Sequence, residues 1–133
     1  MRIITIILPV YNDWPNLFAI LKKIEKIKKK QKIKINILIV NDSSTNKFDY
    51  KKFDFKKTFY LNLKKNVGSQ KAIATGIKYA IKKKMGDGFI IMDSDGEDNP
   101  DEISNIIKLI KNKKINAITM NRKIRHESFL FSI

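Results

Sequence analysis

Ile3-Ile4-Thr5-Ile6-Ile7-Leu8-Pro9-Val10-Tyr11-Asn12-Asp13 is the stretch on which the fold turns. Eight almost unbroken apolar residues run straight into three polar ones. A strand with one wet face would alternate; a continuous apolar run marks a strand covered on both faces. Leu17, Ile20, Leu21, Ile24 and Ile27 then recur at helical spacing, with Pro15 near the start. Ile35 to Val40 reads as a second buried strand, and Thr58 to Leu63 as a third. Ala72, Ile73, Gly76, Ile77, Ala80 and Ile81 form one face of a second helix. Gly86-Asp87-Gly88 is a turn, and Phe89 to Met92 a fourth strand. Asn99-Pro100 caps a third helix whose inner face is Ile103, Ile106, Ile107 and Ile110; Ala117 to Met120 reads as a fifth strand. Asn41 to Lys57 is polar and irregular, broken by Phe48, Tyr50, Phe53 and Phe55. Alternating strands and helices predict an α/β fold, a three-layer sandwich with a mostly parallel sheet between helices. Ligands bind such sheets beyond the carboxyl ends of the strands. Those ends carry Tyr11-Asn12-Asp13, Asn41-Asp42-Ser43-Ser44 and Asp93-Ser94-Asp95.

The chain has 133 residues and 43% hydrophobic content, which suits one domain with a real core. No apolar run approaches the ~20 residues of a membrane span. The apolar start has no small-residue cleavage site and reads as a strand rather than a signal peptide. Cysteine is absent, and the expected location is cytoplasmic, with the inner face of the cell membrane as the alternative. The net charge is +15, from 28 basic and 13 acidic residues. Arginine occurs at Arg2, Arg122 and Arg125; the rest is lysine. Base and phosphate readers favour the guanidinium fork. Lys28-Lys29-Lys30, Lys82-Lys83-Lys84 and Lys111, Lys113 and Lys114 each follow an amphipathic stretch, where a helix dipole favours cations. A specific nucleic-acid site is therefore not expected; attraction to an anionic membrane surface is the better-supported charge-driven contact.

Chemistry concentrates in Asp93-Ser94-Asp95-Gly96-Glu97-Asp98-Asn99-Pro100-Asp101-Glu102, where six of the 13 carboxylates fall. Like charges so close repel unless a cation compensates. Asp101 and Glu102 suit the first turn of a helix. Asp93 and Asp95 leave a buried strand, and such hard oxygens suit magnesium or manganese bridging to a phosphate. An acidic turn without metal is the competing reading. Asn66-Val67-Gly68-Ser69-Gln70-Lys71-Ala72 sets a glycine before a helix whose N–H groups face an anion, or is an ordinary helix start; it is not a P-loop. Asp42 accepts from a base or ribose, or closes an Asx turn or helix cap with Ser43 and Ser44. Tyr11 stacks on a base or packs.

Taken in order, these segments resemble the family 2 glycosyltransferases with the GT-A fold, a Rossmann-like nucleotide-binding half. Ile7-Leu8-Pro9-Val10-Tyr11-Asn12-Asp13 is similar to that family's opening strand, usually ending Pro-Val-Tyr-Asn-Glu. Val40-Asn41-Asp42-Ser43-Ser44-Thr45 is similar to its Val-Asp-Asp-Gly-Ser-Thr. Asn66-Val67-Gly68 through Ala72 to Gly76 resembles its Asn-x-Gly helix start, and Met92-Asp93-Ser94-Asp95 with Pro100 and Glu102 its Met-Asp-Ala-Asp segment. The branch most alike in flavour is the polyprenyl-phosphate one, that of dolichyl-phosphate mannose synthase-like enzymes. The resemblance implies nucleotide-sugar contacts from Pro9, Tyr11, Asp13, Asp42, Lys71, Asp93, Asp95, Arg122 and Arg125. It implies a metal at Asp95 with Glu97 and Asp93. Asn41 departs from the family's first acidic position of the second motif, and Ser43 from its glycine.

The expected function is the donor-binding domain of an inverting glycosyltransferase that uses Mg or Mn and a UDP- or GDP-linked sugar. The acceptor implied is a polyprenyl phosphate or a cell-envelope glycan. Residues 1–133 read as one nucleotide-sugar-binding domain cut short before the acceptor-binding region. On that reading the catalytic base lies beyond Ile133, and the isolated chain is expected to be inactive. No residue reads as a convincing general base: His126 reads as an exposed tail residue, and the apolar tail Phe129-Leu130-Phe131 as a surface that packs against the missing half or another subunit. A catalytically inactive sugar-nucleotide-binding module and a basic nucleic-acid-binding protein are the alternatives. Peripheral membrane association and assembly into a homo-oligomer stay open.

Overall fold

A computed structural model describes residues 2–47 and 55–112. The elements are β1 (Ile3–Val10), α1 (Trp14–Lys30), β2 (Lys34–Asn41), β3 (Thr58–Asn62), α2 (Ser69–Lys82), β4 (Gly88–Ile91) and α3 (Glu102–Asn112). The four strands form one sheet in the order β3-β2-β1-β4, with every pairing parallel. The sheet therefore grows outward from β1 in both directions, and its order reverses between β1 and β4.

β1 and β2 are apolar throughout because they are covered twice. Ile4, Ile6, Leu8 and Val10 of β1 join Ile35, Ile37 and Ile39 of β2 beneath Trp14, Leu17, Leu21 and Ile24 of α1 and Ile103 and Ile107 of α3. The opposite faces, Ile7, Leu38 and Val40, pack with Ala72 and Ala80 of α2 and with Met85. α1 and α3 thus cover one face and α2 the other, which is the expected three-layer α/β sandwich. Each Leu or Ile buried this way contributes about 1.5–3 kcal/mol. Two polar side chains enter the α2 face, and both are bonded: the Thr5 hydroxyl and the Asn36 amide donate to the Met85 carbonyl, at 2.8 and 2.7 Å.

Gly76 brings α2 close. A Cβ there would lie 2.7 Å from Cγ2 of Val40 and 3.1 Å from Cγ2 of Ile7. The helix accordingly lies low across β1 and β2, and its N-terminus reaches the carboxyl edge. Asp87 ties the other edge: its backbone N–H donates to the Ile3 carbonyl, and its carboxylate accepts the Ile3 N–H, both at 2.8 Å. No helix among the described residues is long and apolar enough to cross a membrane. The expected fifth strand at Ala117 to Met120 lies outside the described residues, as do Phe48, Tyr50 and Phe53.

Candidate nucleotide-sugar site at the carboxyl edge

Where strand order reverses, the two crossovers leave in opposite directions and a crevice opens beyond the strand ends. Here that crevice is a cleft of about 260 Å³ lined by Pro9, Val10, Tyr11, Asp13, Asp42, Ser69, Asp93, Ser94 and Asp95. Three strand ends and the start of α2 therefore meet at one place. Six residues expected from sequence line it together: Pro9, Tyr11, Asp13, Asp42, Asp93 and Asp95. Tyr11 is 49% exposed, so its ring stands at the cleft rather than in the core. Lys71 and Glu97 are exposed outside the lining. Arg122, Arg125 and His126 lie outside the described residues.

The loops that carry these side chains are locked to one another. Asp42 is 3% exposed, and its carboxylate accepts the backbone N–H groups of Val67 at 2.8 Å and Gly68 at 2.9 Å. It closes no Asx turn or helix cap with Ser43 or Ser44; it clamps the loop before α2 onto the end of β2. Charge-assisted bonds of this kind are about twice as strong as neutral ones. Asn41, not Asp42, makes the local turn, its side-chain oxygen accepting the Ser44 N–H at 3.0 Å. Ser43 takes φ 61°. Asn12, at φ 57°, stitches β1 to the loop after β2. Its N–H donates to the Ser44 hydroxyl, its side-chain amide donates to the Thr45 hydroxyl, and its side-chain oxygen accepts the Asn46 N–H, at 2.9, 3.0 and 2.9 Å.

The acidic loop after β4 is built in the same way. The ladder between β1 and β4 ends with the Met92 N–H donating to the Ile7 carbonyl at 3.2 Å. The Ser94 hydroxyl then takes over, donating to the Pro9 carbonyl. This side chain extends the sheet by one bond where backbone pairing stops. Asp98 reaches back to accept the Asp93 N–H at 2.8 Å, and Asp95 accepts the Glu97 N–H at 2.9 Å, with Gly96 at φ 90° between them. Part of the carboxylate crowding therefore shapes the loop: backbone N–H groups sit between the acids. Asn99 accepts the Asp101 N–H at 3.1 Å, and the first helical turns follow into α3. Among the described residues no three His, Cys, Asp or Glu side chains converge into a metal cage.

Ser69 and Ser94 received no role from sequence. The first stands at the N-terminus of α2 in the cleft, and the second holds the acidic loop against β1.

The chain is 26% identical over 125 residues to an uncharacterized protein of Methanocaldococcus jannaschii, covering 90% of this chain and 52% of that one. It is 25% identical over 109 residues to a dolichol-phosphate mannosyltransferase of Pyrococcus furiosus, covering 82% and 30%. The chain thus spans about half or less of the length of these curated relatives. Crystal structures of S. aureus TarS superpose with TM-scores of 0.63 and 0.61 over 96% of this chain and about two fifths of TarS, at 18% identity; in the second, TarS is in complex with UDP-GlcNAc. That likeness shows the fold, the GT-A arrangement expected from sequence. The family model described as Glycosyl transferase family 2 matches residues 5–132, from β1 through the cleft loops and beyond α3, and the chain belongs to that family.

Proposed function

We propose that this chain binds a nucleotide-sugar in the carboxyl-edge cleft as the donor-binding part of an inverting glycosyltransferase. The observation that carries the reading is the meeting of Tyr11, Asp13, Asp42, Asp93 and Asp95 in one cleft at the strand-order reversal. In this arrangement the base lies between Tyr11 and the loop after β2, and the diphosphate lies toward the Asp93–Asp95 loop. A UDP- or GDP-linked sugar suits it; the UDP-GlcNAc complex of the TarS neighbour supports the first. The acceptor is a polyprenyl phosphate or a glycan, and the dolichol-phosphate mannosyltransferase relative supports the first of these.

The acidic loop fits a divalent cation of the magnesium or manganese kind. Asp93 and Asp95 offer hard oxygens at the cleft, and with no third carboxylate converging among the described residues, the set suits an ion that draws its other ligands from a bound diphosphate. Such an ion would neutralise the departing nucleoside diphosphate. The chain's own part is to orient: the Asp42 clamp and the Ser94 bond keep both walls of the cleft in register with β1. Orientation of that kind supplies several kcal/mol of a transfer barrier.

Calorimetry with UDP and GDP, with and without manganese, tests the reading. Asp95→Ala is expected to abolish the manganese-dependent part of binding while leaving the fold intact, because Asp95 is exposed and its removal relieves like-charge repulsion. Unchanged manganese-dependent affinity in that variant would sink the metal assignment. Absence of nucleotide binding by the unsubstituted chain would sink the donor site.

A further inference from the structure

The loop after β2 is fastened to the end of β1 chiefly through one residue. Asn12 takes the left-handed φ of 57°, which asparagine tolerates better than most residues. From there it holds three successive residues. Its N–H donates to the Ser44 hydroxyl at 2.9 Å, its side-chain amide donates to the Thr45 hydroxyl at 3.0 Å, and its side-chain oxygen accepts the Asn46 N–H at 2.9 Å. The Trp14 indole N–H donates to the Asn46 carbonyl at 3.2 Å, so Asn12 and Trp14 together grip both polar backbone groups of Asn46. Roles alternate along this segment. Tyr11 and Asp13 line the cleft, whereas Asn12 does not; Asn12 and Trp14 reach instead to the loop.

Strand pairing does not need these bonds. β1 and β2 are in register from Ile3 with Lys34 to Val10 with Asn41, and the Asp42 N–H adds a bond to the Val10 carbonyl at 2.9 Å. Asn12 acts where that ladder has ended, and its bonds join segments 32 to 34 residues apart in the chain. What it fixes is the place of Tyr11 and Asp13 against the loop. The other wall of the cleft is anchored by a different set, Ser94 on the Pro9 carbonyl and Asp98 on the Asp93 N–H. We propose that Asn12 is a positioning residue for base recognition: without touching the ligand, it holds Tyr11 and Asp13 against the loop after β2, so that the base meets a preformed wall. The proposal rests on the nucleotide-sugar reading above. A ring and a loop that the ligand itself had to order would subtract from affinity; tied beforehand, they do not. The diphosphate lies toward Asp93 and Asp95 on that reading, so its binding depends on the other wall and gains nothing from Asn12.

Calorimetry of the 133-residue chain separates the two walls. The ligands are UDP or GDP, whichever the parent binds more tightly, and inorganic pyrophosphate, each with magnesium. Asn12→Gly removes the side chain and installs a residue that adopts φ 57° without strain. It is expected to weaken the nucleotide about tenfold, through the ring and loop left to be ordered, and to leave pyrophosphate within about twofold of the parent. Asn12→Asp keeps an acceptor for the Asn46 N–H and for the Thr45 hydroxyl, which already stands 3.3 Å from the Asn12 oxygen as a donor. It is expected to bind the nucleotide within about threefold of the parent. The variant S44A/T45V deletes two partners, leaves Asn12 in place and should weaken the nucleotide about threefold; as the milder change it carries the test if circular dichroism shows that Asn12→Gly does not fold. Equal losses of nucleotide and pyrophosphate would mark a general structural role and overturn the inference. So would unchanged nucleotide affinity in Asn12→Gly or in S44A/T45V, or an Asn12→Asp variant as weak as Asn12→Gly. A parent chain that binds neither nucleotide would overturn the donor-site reading and this inference with it, whereas a parent that binds and variants that bind equally well would remove this inference alone.

Discussion

At Ser43 the backbone adopts φ 61°, a left-handed conformation that costs an L-residue roughly 1–2 kcal/mol. The family pattern carries glycine at this point, which removes that cost. Glycine loses more freedom on folding, about 0.5–1 kcal/mol, so the two effects partly cancel. Ser43→Gly is expected to stabilise the chain by about 0.5–1 kcal/mol, read as a rise in Tm of a few degrees; a lower Tm would refute the account. The neighbouring Asp42 shows where single-residue reading stops. Its place at a strand end was legible, and so was its place in the cleft. Its grip on the N–H groups of Val67 and Gly68 was not, because that bond spans 25 and 26 residues and no local pattern encodes it. Asn12 with Ser44 to Asn46, and Ser94 with Pro9, were hidden for the same reason. Tyr11, Asp13, Asp42, Asp93 and Asp95 were legible because they follow apolar runs at strand ends; Pro9, inside its run, came from the family resemblance. Glu97 and Lys71 came from motif matching alone, and both stand outside the cleft lining.

Elements were more legible than contacts, since burial imposes a period that a sequence displays. β1 spans the residues its apolar run predicts, Ile3–Val10, and β2 extends one residue further at each end than Ile35 to Val40. β4 begins and ends one residue earlier than Phe89 to Met92, because at Met92 only a single bond to Ile7 remains of the ladder. α3 begins at Glu102, after the turn residues Pro100 and Asp101, and so later than the Asn99-Pro100 cap predicts. The periodicity of α2 was plain, but its height above the sheet was not. That height depends on Gly76. Gly76→Ala gains up to about 1 kcal/mol in helix propensity. Against this, the new methyl would press within 2.7 Å of Val40, whose β-branched side chain has little room to turn. Overpacking of this kind costs about 1–3 kcal/mol, so the variant should be less stable by roughly 1 kcal/mol in urea denaturation. Equal or greater stability would show that α2 can ride higher without loss.

The whole molecule carries +15, and Lys28–Glu25 is the ion pair among the described residues. Charge so one-sided repels itself when the chain is compact. Raising salt toward physiological strength, where the screening length falls to about 8 Å, should therefore raise Tm by a few degrees; a Tm that falls over that range would contradict this. The sheet's topology adds a consequence in time. β1 lies between β2 and β4, and Ile4 faces Ile35 on one side and Gly88 on the other. At roughly 5–20 residues per second of synthesis, β4 follows β1 from the ribosome by on the order of 4–17 s. β1, α1 and β2 can pair within that interval, but one edge of β1 then stands open beside side chains that end up fully buried. The most deeply enclosed strand among the described residues is thus the one whose edge stays open during synthesis, and the lysines of α1, already translated, supply like charge that opposes its pairing with a neighbouring nascent chain.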